Sequence, residues 1–286
     1  MNYQYIRLLG NLNYYKNNVV HKFYKGLQKI IEPVVSVKRV KKFKEVSLKR
    51  SNRFVIVCDN LRSGGNISAI IRSCDAMGIQ NLSIIDEYDK DIDEDATYEP
   101  NGLTAVSKGS HRWLDIKRFK NTLECVEDLK SNGYSIWSSD LSPGALSFTN
   151  DIIFNDIVES KSINSNNKLM VAKDQKIAIV FGNEKNGVSK EVLKHSDQRI
   201  YLDMVGMVQS LNVSVAVGMT LAYLNFQKQL LGNLSEFERD KLLATWLIKS
   251  IGNSNRATTL FLKRFGIDDN SIPTLFNTKN DKFSFK

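Results

Sequence analysis

The chain has 286 residues, of which 42% are hydrophobic and 25% charged, and it carries a formal net charge of +9. Its hydrophobic content is that of a globular protein and its length allows one large domain or two small ones, so extensive disorder is excluded. The excess of basic residues indicates an anionic partner, of which nucleic acid is the commonest. Ribosome-associated and membrane-surface proteins also carry such a positive charge.

Cysteine usage and apolar runs indicate the compartment. The three cysteines form no CxxC pair, are odd in number and lie in apolar stretches. We therefore expect small buried side chains rather than a disulfide framework or a zinc site. The longest apolar run, residues 213–224, would span about 18 Å as a helix, short of the roughly 30 Å of a bilayer core. These features predict a cytoplasmic protein without a metal centre or a membrane anchor.

Residues 1–52 are predicted to form a basic helical N-terminal extension. Between residues 38 and 53 eight side chains are basic and only Glu45 is acidic. Val37, Val40 and Phe43 recur at helical spacing, so such a helix can pack on the protein and still show a positive face. A solvated helix face and a surface that grips RNA both fit this pattern. The candidate RNA-contacting residues are Lys38, Arg39, Lys41, Lys42, Lys49 and Arg50.

Strands and helices alternate from residue 53 to residue 230. Residues 54–58 form a continuous apolar run of strand length, as expected where both faces of a sheet are covered. Further strand-like and helical patterns follow at 67–77, 82–85, 123–129, 134–137, 177–181 and 199–202. The alternation predicts a mostly parallel α/β sheet in a domain that spans residues 53–230.

Two stretches interrupt the alternation, and a helical segment follows it. Residues 86–99 are acidic but lack the glycine of a calcium-binding loop, and residues 160–167 are rich in Ser, Asn and Lys, so both are expected to be surface loops. Ser235 and Glu238 form a capping-box pattern ahead of an amphipathic helix. Residues 231–286 are therefore predicted to form a C-terminal helical extension.

The first of three segments with candidate chemistry reads NLRSGGNISAIIRSCDAMGI (60–79). A strand ends here, a Gly-Gly turn follows, and a helix is predicted to begin near Asn66, where free backbone amides suit a phosphate or another polar group. The glycines do not form a GxGxxG pattern, so an ordinary dinucleotide fold is poorly supported. Arg72 lies in an otherwise apolar run, where an exposed surface arginine and a functional one are both possible.

The other two segments are IAIVFGNEKNGVS (177–189) and YLDMVGMVQSLNVSVAVGMT (201–220). The former leads from an apolar strand through Gly182 to Glu184, and the latter from a strand through a glycine-containing loop into a helix predicted to start near Ser210. Loops at the carboxyl ends of strands are where ligands bind in open α/β sheets. Taken singly, each segment also fits an ordinary glycine turn or a small-residue packing helix.

Together and in this order, the three segments resemble the signature motifs of the TrmH (SpoU) family of the SPOUT methyltransferase superfamily. The resemblance covers roughly residues 50–275, and the run GMVQSLNVSVA (206–216) is its most specific part. It implies an α/β fold with a deep trefoil knot, which no periodicity argument would suggest, and S-adenosyl-L-methionine as the cofactor. By motif position it implies catalytic roles for Asn66, Arg72, Glu184, Ser210 and Asn212, and cofactor contacts at Ser139, Gly182, Leu202, Gly206 and Leu211.

The resemblance is strongest to family members that methylate the ribose 2′-hydroxyl of the D-loop guanosine at tRNA position 18. It implies a homodimer that grips tRNA with its basic extension; rRNA as the substrate, or an RNA-binding relative without catalysis, are the alternatives. Arg72 matches the arginine that activates the hydroxyl, and because a guanidinium stays protonated we expect it to clamp the adjoining phosphate and steer the proton there. In one departure, the family usually has Pro where this chain has Asp203, which adds a backbone N–H and a negative charge near the cofactor loop.

Overall fold

The computed structural model describes residues 20–87, 109–155, 162–163 and 168–251. The chain divides into two compact units, one formed by Arg50–Asn233 and the other by Met1–Lys49 together with Leu234–Lys286. The boundaries lie near the predicted ones at 52/53 and 230/231. The two predicted extensions belong to a single unit, which is thus assembled from opposite ends of the chain.

The described part of the larger unit contains ten strands. They are β1 (Ser51–Asp59), β2 (Ile79–Ile85), β3 (Asp115–Phe119), β4 (Tyr134–Ser139), β5 (Leu146–Ser147), β6 (Ile152–Asn155), β7 (Ser162–Ile163), β8 (Leu169–Ala172), β9 (Lys176–Phe181) and β10 (Gln198–Tyr201). Seven form a sheet of order β3-β2-β1-β9-β4-β10-β5, in which all neighbours are parallel, and the others form a small sheet of order β6-β8-β7. The carboxyl ends of the seven strands therefore meet at one edge, and the predicted mostly parallel α/β sheet is confirmed.

Helices cover both faces of the large sheet. The α-helices are α1 (20–31), α2 (Val37–Ser47), α3 (Gly64–Ala76), α4 (Thr122–Ser131), α5 (Lys190–His195), α6 (Val213–Phe226) and α7 (Glu236–Ile251). In β1, alternate residues such as Ile56 pack in a core with α3 and α6, while Val55 and Val57 pack in a second core with α4 and α5. Because both faces are buried, the strand reads as the continuous apolar run seen in the sequence.

Several elements differ from the sequence-based expectations. Strand β3 was not predicted, because it is an edge strand with the polar sequence DIKRF and has no apolar run. Helix α6 begins at Val213 rather than near Ser210, since Asn212 occupies its N-cap. Of the predicted loops 86–99 and 160–167, only residues 86–87 and 162–163 are among the described residues.

The smaller unit joins the N-terminal helices to α7. Phe43 of α2 packs on Trp246 of α7 with ring centroids 5.5 Å apart, and His21 of α1 contacts Asp240 at 2.6 Å. The predicted capping box is confirmed: the Ser235 N–H donates to the Glu238 carboxylate at 2.8 Å and the Glu238 N–H donates to Ser235 Oγ at 3.3 Å. Among the described helices, none is long and apolar enough to cross a membrane.

Candidate active site

Three of the predicted catalytic side chains meet at the carboxyl edge of the large sheet. Asn66 of α3 donates a hydrogen bond from its amide nitrogen to the Glu184 carboxylate, in the loop that follows β9. Asn212, which precedes α6, donates from its own amide nitrogen to Oδ1 of Asn66 over 3.2 Å. The three segments that carry the sequence motifs therefore converge through one chain of side-chain hydrogen bonds.

Helix capping orients both asparagines. Asn212 is the N-cap of α6, and its Oδ1 accepts hydrogen bonds from the backbone N–H groups of Ser214 at 2.9 Å and Val215 at 3.4 Å. Because its oxygen faces these donors, the amide nitrogen points out of the helix, towards Asn66. Ser63 caps α3 and accepts the backbone N–H of Asn66 at 3.3 Å. Two helix N-termini thus open at the site, where their free amides favour a negative or strongly polar ligand.

The loop that carries Glu184 is closed on itself and fastened to β1. Asn183 and Gly187 exchange backbone hydrogen bonds of 3.0 and 2.8 Å. The Asn183 side chain donates to the backbone oxygen of Asn60, just after β1, at 2.9 Å. Its own Oδ1 accepts the backbone N–H of Lys185 at 2.8 Å. These bonds fix the backbone on both sides of Glu184 and so define where its carboxylate lies.

Gly182 has a steric role in the same loop. A Cβ built on Gly182 would lie 2.1 Å from the backbone carbon of Gly187 and 2.1 Å from the backbone nitrogen of Val188. Ordinary contacts between carbon atoms are about 3.5–4.0 Å, so no side chain fits here. Gly187 has a φ of +68°, in the left-handed region that favours glycine. The turn therefore depends on both glycines of the second motif.

The residues of this site lie within a stretch of the chain that matches a known protein family. A family model described as the SpoU rRNA Methylase family matches residues 53–222, which is more than half of the chain. The chain belongs to the SpoU methylase family. The family prediction made from the three motifs is thus confirmed.

Several relatives of this SpoU family member are matched over most of the chain. A protein of Aquifex aeolicus named tRNA (guanosine(18)-2'-O)-methyltransferase is 29% identical over 239 residues, which cover 80% of this chain and 98% of the relative. A protein of the same name from Escherichia coli K12 is 27% identical over 206 residues, covering 70% and 77%. The crystal structure of the A. aeolicus TrmH/SpoU tRNA modifying enzyme superposes with a TM-score of 0.59 at 28% identity, covering 76% of this chain and 98% of that one.

Three of the five predicted cofactor contacts lie at the ends of adjacent strands, and the other two lie in the loop that follows one of these strands. In the sheet, β4 is the neighbour of both β9 and β10. Ser139 is the last residue of β4, Gly182 follows β9 and Leu202 follows β10, while Gly206 and Leu211 lie in the loop before α6. Both leucines are half-buried, and Gly206 is exposed. The parallel sheet therefore brings Ser139, Gly182 and Leu202 to the edge where the cluster of predicted catalytic side chains lies.

Two predicted catalytic residues are not joined to this cluster. Arg72 is exposed on α3, and no hydrogen bond or ion pair links it to any other residue that the structure describes. Six residues of helix turn its side chain about 120° away from Asn66. Ser210 is exposed in the loop, two residues before Asn212. The structure thus gathers Asn66, Glu184 and Asn212, and leaves the Arg72 guanidinium available to a ligand.

Most of the predicted RNA-contacting side chains are exposed on or just after α2. They are Lys38, Arg39, Lys41, Lys42 and Lys49. The sixth prediction, Arg50, is wrong. Its side chain is 2% exposed, pairs with the Asp75 carboxylate and donates to the backbone oxygen of Ile79 at 3.2 Å. Arg50 directly precedes the buried strand β1, so its guanidinium is committed to the fold and cannot contact RNA.

Sequence reasoning also missed a buried carboxylate near the Glu184 loop. Asp59, the last residue of β1, is 1% exposed and accepts hydrogen bonds from the backbone N–H of Ser189 at 2.6 Å and from Asn60 Nδ2 at 2.7 Å. Burial raises the pKa of Asp59, and these hydrogen bonds act in the opposite direction. The bonds tie the end of β1 to the N-cap of α5, on the far side of the Glu184 loop. An Asp-Asn pair directly after an apolar run was the available signal.

Proposed function

We propose that this protein is an S-adenosyl-L-methionine-dependent tRNA methyltransferase that modifies the ribose 2′-hydroxyl of the D-loop guanosine at position 18. The observation that carries the proposal is the convergence of Asn66, Glu184 and Asn212, from three separate motifs, in a member of the SpoU family. Relatives matched over most of the chain are named for this reaction. The excess of basic residues suits a polyanionic substrate.

The predicted cofactor residues fit S-adenosyl-L-methionine by their chemistry. Ser139, Gly182, Leu202, Gly206 and Leu211 offer backbone groups, one hydroxyl and half-buried leucine side chains, and none of the five is charged. Such surroundings suit an adenine ring bound by apolar contact and a few polar groups. When bound there, the cofactor supplies an electrophilic methyl group for transfer to the ribose oxygen.

The side chains of the cluster orient the substrate rather than act as strong bases. Asn66 and Asn212 hold each other and can present amide groups to the ribose, while Glu184 fixes Asn66. The hydroxyl must lose its proton as its oxygen attacks, because a neutral hydroxyl is a poor nucleophile. We assign Arg72 to clamp the adjoining phosphate, whose oxygen takes that proton, since the guanidinium itself stays protonated.

Methylation of defined transcripts tests the proposal. Purified protein with S-adenosyl-L-methionine should add one methyl group to a tRNA carrying guanosine 18, located by mass spectrometry of nuclease fragments. The same tRNA with 2′-deoxyguanosine at position 18 should gain none, since it lacks the accepting oxygen. Methylation of rRNA but not tRNA would favour the rRNA alternative. Binding of RNA without binding of the cofactor in calorimetric titration would favour a non-catalytic relative.

An Arg72→Ala variant tests the role of that arginine. Turnover should fall about 100-fold or more, the range found when a charge-stabilising donor is removed from an active site. Cofactor affinity should not change, because Arg72 lies on α3 and is not among the predicted cofactor contacts. Arg112 is a suitable control, since it lies next to Trp113 before β3, with its guanidinium 5.4 Å from that ring. Near-normal turnover of Arg72→Ala would remove Arg72 from the mechanism.

We further propose that the protein is a homodimer that uses α6 as its contact. The residues at successive turns of one side of this helix, Val215, Met219, Ala222 and Phe226, are exposed, and Phe226 is 81% exposed. The opposite side, which includes Val217 and Leu221, is buried in the core. A helix that is apolar all round is ordinarily buried all round, and a second copy would cover the exposed side. Sedimentation of wild type and Met219→Glu tests this: the variant should be monomeric.

Three further parts of the proposal concern a knot in the chain, the location of the protein in the cell and the surface that binds RNA. We expect the chain segment from β9 to α6 to form the trefoil knot implied by the family resemblance, which a crystal structure would test. A tRNA substrate favours a cytoplasmic location, which cell fractionation tests. The exposed basic residues of α2 and Lys49 are proposed to bind tRNA phosphates.

A further inference from the structure

An aspartate just after β10 holds three hydrogen-bond donors. One oxygen of the Asp203 carboxylate accepts from Ser147 Oγ at 2.5 Å, from Thr149 Oγ1 at 2.8 Å and from Asn150 Nδ2 at 3.1 Å. These bonds, led by that of the Ser147 hydroxyl, lower the pKa of Asp203. The side chain is exposed, so water could have satisfied it, yet three protein donors converge on one atom.

The segment that supplies the donors is itself tied down. Ser147 lies in β5, which pairs with β10, and the Phe148 N–H donates to the backbone oxygen of Tyr201 at 2.8 Å. The Tyr223 hydroxyl of α6 donates to the backbone oxygen of Thr149 at 3.1 Å. The segment 147–150 is thus fixed both to the end of β10 and to α6. A carboxylate bound to this segment is held in a defined place.

The loop between β10 and α6 needs such a tie. Val205, Met207 and Val208 are exposed, and the backbone hydrogen bonds found in the structure begin again only at α6. At its far end the loop is fixed by Asn212, the N-cap. At its near end the side-chain anchor is Asp203. The two anchors bracket the stretch in which Gly206 and Ser210 lie.

We propose that Asp203 is a positioning residue that pre-forms the loop 203–212 for S-adenosyl-L-methionine. This inference rests on the proposed function. The carboxylate acts through the loop: it holds the first residue after Leu202, so that the backbone of the loop is ordered before the cofactor arrives. Ordering a loop in advance raises affinity, because the conformational entropy is not lost at the moment of binding. The chemical step, which depends on the Asn66 cluster, does not involve Asp203.

The distinguishing readouts are the Kd for S-adenosyl-L-methionine, measured by calorimetric titration without RNA, and the split between KM for the cofactor and kcat. Asp203→Ala should raise KM for S-adenosyl-L-methionine about tenfold, the effect of losing a set of hydrogen bonds to a charged group. Its kcat at saturating cofactor and its KM for tRNA should stay within about twofold. Asp203→Asn keeps an acceptor oxygen without the charge and should lie between wild type and Asp203→Ala.

A donor-side variant keeps the test valid if Asp203→Ala folds poorly. Thr149→Val preserves shape, is exposed and leaves the carboxylate intact, so it should fold and raise KM by a smaller factor. Because both changes remove the same bond, the double variant should be no worse than Asp203→Ala alone. Additive effects of the two changes would contradict the proposed contact.

Asp197 provides a matched control at the other end of the same strand. It directly precedes β10, and its carboxylate accepts from the backbone N–H of Ile136 at 2.7 Å and from Ser135 Oγ at 3.2 Å. Asp197→Ala should lower thermal stability and leave KM for the cofactor unchanged. Equal rises in KM for both aspartate variants would show a general structural role and overturn the inference. An unchanged cofactor KM in Asp203→Ala would overturn it too, whereas a wild-type protein that binds no cofactor would refute the proposed function itself.

Discussion

A methyl group added at Gly182 tests whether the turn of the second motif is as tight as the structure indicates. The Cβ of Gly182→Ala would lie 2.1 Å from backbone atoms of Gly187 and Val188 and 2.2 Å from the Gly187 oxygen. Relief requires a backbone shift of more than 1 Å, because normal contacts are about 3.5 Å. Overpacking against atoms that can move costs about 1–3 kcal/mol. Since these atoms belong to the backbone, we expect at least about 3 kcal/mol.

Urea unfolding measures this loss directly, and thermal unfolding should show a fall of about 6–12 °C for a unit of this size. Cofactor binding and turnover should also fail, because the displaced loop carries Glu184. Gly65→Ala is the control: its Cβ meets only Ser63 Oγ, at 3.6 Å. It lies in α3, where alanine favours the helix by about 0.5–1 kcal/mol. If Gly182→Ala were within about 1 kcal/mol of wild type, the described turn would be wrong.

Three further results are expected. The double variant Lys41→Ala, Lys42→Ala should bind tRNA more weakly, and the slope of log K against log salt concentration should become less steep by about 0.7–0.9 per lost phosphate contact. Lys44→Ala is the control and should change this slope less, because the Lys44 ammonium pairs with Glu32 at 2.8 Å. Burial raises the pKa of Asp59 above its ordinary 3.8, so the folded state binds the proton more tightly than the unfolded state does. The stability of wild type relative to Asp59→Asn should therefore be greatest below pH 3.8 and fall as pH rises through the raised pKa. Urea titrations at a series of pH values would show this. Thiol labelling should find no reactive cysteine until the protein unfolds, because all three thiols are buried. Burial raises the pKa of Cys58 and of Cys125 to about 12, and it raises the pKa of Cys74 well above its ordinary value.

The sheet could be predicted where its strands are buried on both faces. Residues 54–58 and 177–181 are apolar without interruption, because each is a central strand covered by helices on both sides. The edge strand β3, by contrast, has Asp, Lys and Arg at three of its five positions and pairs with no strand but β2 among the described residues, so periodicity does not reveal it. The order of the strands could not be predicted from the sequence either. Strand β9 lies between β1 and β4, although more than thirty residues separate it from β4 along the chain.

The site was predictable as far as its motifs are local. Asn66, Glu184 and Asn212 each stand at the start of a helix or in a loop after a strand, and resemblance to a known family supplied the link between them. Contacts that join distant segments were not predictable. Asp59 reaches Ser189, and Asp203 reaches a donor segment more than fifty residues earlier. Neither pairing leaves a local pattern, and Arg50 was misassigned because charge alone does not distinguish a surface arginine from one that pairs with Asp75.

The described cluster has amides and a carboxylate but no cation, although the proposed substrate is a ribose flanked by phosphates. Asn66 and Asn212 can hold neutral groups, and Glu184 would repel a phosphate that came close to it. A positive charge must therefore come from outside the cluster, and the helix N-termini of α3 and α6 supply only part of it. Arg72 is exposed and unpaired among the described residues, and it is the cation that the proposed mechanism assigns to the phosphate. Because its side chain points away from Asn66 on the same helix, the RNA must span both sides of α3, or a second protomer must bring its own Arg72 to the cluster.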